Sequence, residues 1–216
     1  MMNSIDFPKR IYLAGDLVFR PNALKIFSRL KAICTEYGLD GVAPFDGQDA
    51  VRGLPPGRET IMTIVRADRD LMDRCDAGLF CIDPFRRSAD MDPGTAVEIG
   101  YMHGLRKKME GYTVDGRNYP EKVEDYWLKA WRQPLTQRSG AQELASGSQE
   151  DPDGMLAHSE GLLQNGMVEG FIEFSGGRVA VHENFETAFR MAAERLAMRL
   201  ADASDDKKAG QQQTNI

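Results

Sequence analysis

Cysteine and histidine are both scarce, at three residues each in 216. Cys34, Cys75 and Cys81 are odd in number and match no metal-ligand spacing, and two of them sit in apolar contexts where a reduced thiol behaves as a small hydrophobe. That usage fits a reducing compartment. His103, His158 and His182 are scattered through separate segments, so no metal site, and no other cofactor, is expected. Long apolar runs are also lacking: no stretch of about 18 apolar residues occurs, and Met1 to Arg10 has charges and a proline where a signal peptide needs an apolar core. The expectation is a cytoplasmic protein without a membrane partner. Nor is there an excess of positive charge. Lys plus Arg total 27 against 33 Asp plus Glu, a net charge of −6, which makes a nucleic acid polymer an unexpected partner. Finally, Ala14-Gly15-Asp16 follows a strand pattern without either glycine-rich phosphate signature, and Asp16 would repel a phosphate.

What is present is an alternation of strand and helix patterns. Ile11 to Ala14 is a short apolar run, and Ala23 to Tyr37 carries apolar residues at helical spacing with Gly38 as a stop. Gly41 to Phe45 is a second short strand, followed by a loop from Asp46 to Gly57. Glu59 to Cys75 is helical again, with Ile61, Ile64, Val65, Met72 and Cys75 as its core-facing stripe. Ala77 to Ile82 is the most continuous apolar run and fits a central parallel strand. A helix then begins at Asp92-Pro93, and Gly111 to Thr113 suggests a fourth strand.

This order predicts an α/β domain of flavodoxin-like or Rossmann-like type, a parallel sheet flanked by helices, spanning residues 1–201. Val114 to Gly154 reads as a polar insertion, its stretch from Ser139 as mobile, and Tyr126, Trp127 and Trp131 as its aromatic anchor on the core. Helical character returns over Met155 to Phe174, an amphipathic helix follows from Phe185 to Leu200, and residues 202–216 read as a disordered tail.

Three carboxylates stand out. Asp68 falls within the apolar stripe of its helix, where an ionisable group costs free energy unless it is paired or lines a cleft. Glu98 has Gly94, Thr95, Tyr101 and Met102 one turn away and no base among them. Asp92 sits where a helix N-cap is expected, so a capping role and a site role are both open for it. Doubly wound folds bind ligands beyond the carboxyl ends of their strands, which would gather Tyr12, Asp68, Asp92 and Glu98 with the Gly15 to Phe19, Phe45 to Gly47 and Asp83 to Asp92 loops. Paired carboxylates about one carbon suit glycosyl chemistry: one stabilises or attacks an oxocarbenium-like centre while the other manages the leaving group's proton.

The segments Ile11-Tyr12-Leu13-Ala14-Gly15 with Phe19, Asp68 ahead of Asp76, Asp83-Pro84-Phe85-Arg86 and Asp92-Pro93-Gly94-Thr95-Ala96-Val97-Glu98-Ile99-Gly100-Tyr101 resemble the nucleoside 2-deoxyribosyltransferases. Asn165-Gly166-Met167 is a fainter echo. The resemblance implies transfer of a 2-deoxyribosyl group from a 2′-deoxyribonucleoside to a free nucleobase, without a cofactor, in nucleoside salvage. It implies Glu98 as nucleophile, Tyr12 as the residue that orients it, Asp68 as acid and base, and Asp92 as holder of a sugar hydroxyl. It also implies Asn165 and Met167 reaching a neighbouring subunit's site in a homo-oligomer. Gly15, Phe19, Phe45 and Asp46 are the further substrate-binding candidates. Two rivals are a deoxynucleoside 5′-monophosphate N-glycosidase, kept open by Arg20, Arg86, Arg87 and Ser88, and a nucleoside-binding module without catalysis.

Overall fold

The run that opens the domain alternates between two apolar environments. In β1 (Lys9–Ala14), Ile11 and Leu13 join Phe27, Leu30, Ile33, Phe189 and Leu196, whereas Tyr12 and Ala14 join Leu71, Met72, Ile99 and Met102. With side chains alternating across a strand, both faces of β1 are thereby covered, as an interior parallel strand requires. The structure, a computed structural model, describes residues 7–139 and 147–213, with side chains described as far as Asp202.

After β1 come α1 (Ala23–Glu36), β2 (Leu39–Val42), α2 (Arg58–Arg74), β3 (Ala77–Cys81), α3 (Pro93–Gly104) and β4 (Lys108–Thr113). They are followed by α4 (Tyr119–Trp131), the strands β5 (Thr136–Gln137) and β6 (Gln149–Glu150), α5 (Gly166–Phe174), β7 (Val179–Val181) and α6 (Phe185–Gln213). Five strands form one parallel sheet in the order β2-β1-β3-β4-β7, the flavodoxin-like arrangement, with the strand order reversing between β1 and β3. Helices α1 and α6 cover one face, and α2, α3 and α5 the other. No helix among the described residues is long and apolar enough to cross a membrane.

Several segments differ from their expected form. The second strand ends at Val42, and Pro44–Val51 winds into 3-10 turns where a strand end and loop were expected; Pro44 lacks the N–H a strand would use, and Asp46 accepts a hydrogen bond from the Ala43 N–H at 2.8 Å. The polar insertion contains α4, started by Pro120 and by Glu121, whose carboxylate takes the Asn118 N–H at 2.8 Å. Trp131 is exposed and packs on Trp127, so the aromatic cluster does not anchor α4; buried Tyr119, Pro120 and Lys122 do. β5, just before the stretch expected to be mobile, pairs antiparallel with β6 inside it; residues 140–146 lie outside the described residues.

Helix α5 begins only at Gly166, because Gly161 at φ +80° and Ser159 at φ +70° keep the preceding chain out of helical geometry. Ile61 and Val65 are exposed although they belong to the expected apolar stripe; Leu71, Met72 and Cys75 form the buried end of α2. α6 continues to Gln213, into the stretch expected to be a tail, through a segment that mixes good helix formers (Ala, Lys and Gln) with Asp, Ser and Gly. Residues 214–216 lie outside the described residues.

Apolar contact alone does not set the register of α6 on β4. Glu110, 1% exposed, accepts from Arg199 at 2.6 Å and Arg195 at 3.1 Å, and from the Arg178 N–H at 3.2 Å. A buried carboxylate with three donors is satisfied, but its removal leaves two partly covered guanidiniums with carbonyl acceptors and no counter-charge. The Glu110→Ala protein is expected to lose about 3 kcal/mol of stability, read from the shift in urea midpoint at unchanged slope.

Candidate active site

Tyr12 leaves β1 on the face covered by α2 and α3, and its hydroxyl donates to Glu98 Oε1 at 2.6 Å. The distance is that of a short charge-assisted bond, and it spans 86 positions of sequence. Burial pushes the Tyr12 phenol well above its ordinary value, helped by the negative charge of Glu98 and Asp68, so the hydroxyl stays a donor.

Glu98 projects from the second turn of α3, and no cation pairs with it among the described residues. Burial drives its pKa up to about 8, and the nearby charges of Asp68 and Asp92 act in the same direction, while the Tyr12 hydrogen bond opposes them. Asp68, on α2, is also lifted by burial, to about 6, against the lowering effect of a 3.3 Å hydrogen bond from Gln48 Nε2. The two carboxylates therefore hold protons near neutral pH more strongly than ordinary side chains do. Groups so perturbed and facing each other are the usual substance of acid–base chemistry.

Asp92 occupies both of its open roles geometrically. It caps α3, Oδ2 taking the Thr95 N–H at 2.8 Å and the Thr95 hydroxyl at 2.9 Å, while Oδ1 takes no hydrogen bond among the described residues. Gly15 ends β1 at φ +151°, and a Cβ there would come within 2.6 Å of the Cys81 Cβ, so only glycine lets β1 and β3 approach this closely.

The remaining candidates separate. Phe19 is 60% exposed and lies on Phe85 with ring centroids 5.4 Å apart, the Arg86 guanidinium 4.8 Å from the Phe85 centroid. Phe45 packs edge-on against Phe27 in the core, and Asp46 is engaged by Lys31 at 2.5 Å and by the Ala43 N–H. Neither reaches the carboxylates. Gln48, three residues on from Phe45, does, and nothing in its spacing pointed to it; a polar residue in a loop is unremarkable until the loop is seen folded over α2. Asn165 caps α5 through the Met167 N–H at 2.9 Å, and Met167 is 63% exposed. Both line a cavity of about 660 Å³ with Met91, Pro93 and Phe171, and its wall includes none of Tyr12, Asp68 or Glu98. Among the described residues no group of His, Cys, Asp and Glu could hold a metal.

Residues 11–167, which contain Tyr12, Asp68, Asp92, Glu98, Asn165 and Met167, match the family model described as nucleoside 2-deoxyribosyltransferase. The chain belongs to this family. A protein of Schizosaccharomyces pombe described as uncharacterized is 57% identical over 190 residues, 88% of this chain and 89% of that protein. Among solved structures, a 2-desoxiribosyltransferase from Leishmania mexicana is 25% identical with a TM-score of 0.56, covering 87% of this chain and 98% of that one. A conserved protein from Enterococcus faecalis V583, 15% identical with a TM-score of 0.52 over the same shares of the two chains, is similar in fold. Membership in the nucleoside 2-deoxyribosyltransferase family points to nucleosides and nucleobases as the substrate class.

The raised pKa of Glu98 has a cost in stability. Its folded value of about 8 exceeds the ordinary 4.5, so the folded state binds the proton more tightly, and stability falls as pH rises from the unfolded toward the folded value. Glu98→Gln is expected to raise the melting temperature over wild type by roughly 2–4 °C at pH 8, with a smaller margin at pH 5, measured by differential scanning calorimetry.

Proposed function

We propose that this protein transfers a 2-deoxyribosyl group between nucleobases by double displacement, with Glu98 as the nucleophile. The observation that carries the reading is the 2.6 Å bond from Tyr12 to Glu98, which orients the carboxylate and favours its ionised form. In the first displacement Glu98 forms a bond to C1′ as the C1′–N bond to the base breaks, and the electron pair leaves with the base. Asp68, whose pKa burial lifts to about 6, carries its proton in a larger fraction near neutral pH than an ordinary aspartate does, and it supplies the proton that nitrogen takes up. In the second, the nitrogen of an incoming base attacks C1′, its proton passes to the Asp68 carboxylate, and Glu98 departs as carboxylate. Asp92 offers Oδ1 to a sugar hydroxyl while Oδ2 remains on Thr95. Apolar surroundings on the sheet face strengthen these charge interactions and limit the water that would divert the intermediate to hydrolysis.

Incubation with 2′-deoxyinosine and free adenine is expected to yield 2′-deoxyadenosine and hypoxanthine. Release of free deoxyribose with no new nucleoside would assign the protein as a hydrolase. The Glu98→Ala protein should lose at least about a thousandfold in exchange rate while binding deoxyinosine within about tenfold of wild type.

Asn165 and Met167 line a cavity apart from the carboxylates of their own chain, which supports a role in a neighbouring protomer's site within a homo-oligomer. Mixed oligomers of the Asn165→Ala and Glu98→Ala proteins, each inactive alone, are then expected to regain measurable exchange. Stable mixed oligomers that stay inactive would place each site within one chain.

A further inference from the structure

The insertion helix builds a second, chemically different cavity. Between α4 and the loop that joins β3 to α3 lies a space of about 560 Å³ lined by Arg86, Arg87, Arg117, Lys122 and Lys129 against two carboxylates, Asp115 and Asp125. That is a local excess of cations on a chain of net charge −6.

The pairings within the cavity are uneven. Arg117 is held by Asp115 at 2.7 Å and Asp125 at 3.0 Å, and Lys129 by Asp125 at 2.7 Å. Arg86, Arg87 and Lys122 have no carboxylate partner among the described residues. Arg86 rests on the Phe85 ring, and Arg87 is exposed. Lys122 is 2% exposed, and its Nζ donates to the Leu163 carbonyl at 2.7 Å. An ammonium has three protons to donate, so a buried one with a single acceptor is short of two. Desolvation accordingly lowers its pKa from the ordinary lysine value. Successive arginines at φ +51° and +64° turn the loop so that both border the same space.

We propose that this cavity binds the dianionic phosphate of a phosphomonoester, with Arg86, Arg87 and Lys122 as its ligands. Two negative charges and three terminal oxygens meet two guanidiniums, which bind phosphate bidentately, and the unfilled protons of Lys122. A singly charged carboxylate would leave most of the excess uncompensated. The organic part of the ligand has a place to lie: Arg86 and Ser88 border both this cavity and the larger apolar one lined by Met91, Pro93 and Phe171. Neither wall includes Glu98, so the site stands on its own whatever bond Glu98 attacks.

Calorimetric titration of the full chain with inorganic phosphate, deoxyribose 5-phosphate, 2′-deoxyinosine 5′-monophosphate and 2′-deoxyinosine tests this. Phosphate-bearing ligands are expected to bind, with affinity reduced at least tenfold by Arg87→Gln and by Lys122→Met and unchanged by Glu98→Ala. Arg87 is exposed, so its variant folds even if the Lys122 variant does not. Binding of 2′-deoxyinosine should not respond to Arg87→Gln. If inorganic phosphate binds as tightly as the nucleotide, the occupant is free phosphate; if the nucleotide binds at least tenfold tighter, its organic part occupies the adjoining cavity. Absence of phosphate binding at millimolar concentration, affinities within twofold of wild type in Arg87→Gln, or loss of binding in Glu98→Ala would each overturn the proposal.

Discussion

A carboxylate set among apolar side chains, with no cation paired to it among the described residues, is the constraint on which this structure turns. Glu98 has a phenol instead, and that phenol must come from the sheet. A hydroxyl 2.6 Å away can stay there only if β1 and α3 are rigid relative to each other. Burial of β1 on both faces, the close approach of β1 and β3 at Gly15, and the capping of α3 by Asp92 together supply that rigidity. Asp68 arrives from a third element, α2, and its burial lifts its pKa to about 6, closer to neutrality than an ordinary aspartate.

The loop between β3 and α3 ties these pieces to the rest of the domain. Asp83 at its start is satisfied by the Thr113 hydroxyl at 2.6 Å and the Val114 N–H at 2.8 Å, fixing it against β4. The amide of buried Gln164 donates to the Ile82 and Ala89 carbonyls, each at 3.2 Å, and the Tyr119 hydroxyl donates to Asp90 at 2.6 Å. Through those contacts the insertion helix and the start of α5 are held on the same loop that delivers Asp92. The cation-lined cavity and the Glu98, Asp68 and Asp92 carboxylates thus share one scaffold without sharing side chains.

Legibility followed the range of the interactions involved. β1, α1, β3 and the start of α3 were readable because local patterns, two-residue alternation, helical spacing, an Asp-Pro cap, coincide with what the core demands. Glu98 and Asp68 were readable because each lacks the partners its local position would normally supply. α4 was missed because its polar, turn-rich sequence has no continuous apolar stripe; a cap and three buried residues, one of them a lysine, hold it. The exposure of Ile61 and Val65 was equally invisible, since periodicity marks a face but not what covers it. Phe45 and Asp46 are substrate candidates from their place in a strand-end loop, and their contacts with Phe27 and Lys31 of α1 come only from the packing.

By itself the sequence determined the fold class and the identity of the acidic residues, because hydrophobic period and the cost of burying a charge act over a few residues. The tertiary structure supplied the 2.6 Å contact of Tyr12 with Glu98, the meeting of Gln48 with Asp68, and the division of Asp92, whose Oδ2 caps α3 while Oδ1 takes no hydrogen bond among the described residues. Those pairings join residues from 3 to 86 positions apart. The Tyr12–Glu98 and Gln48–Asp68 pairings rest on angles and distances between packed elements, which no local pattern encodes, whereas the Asp92 cap is local.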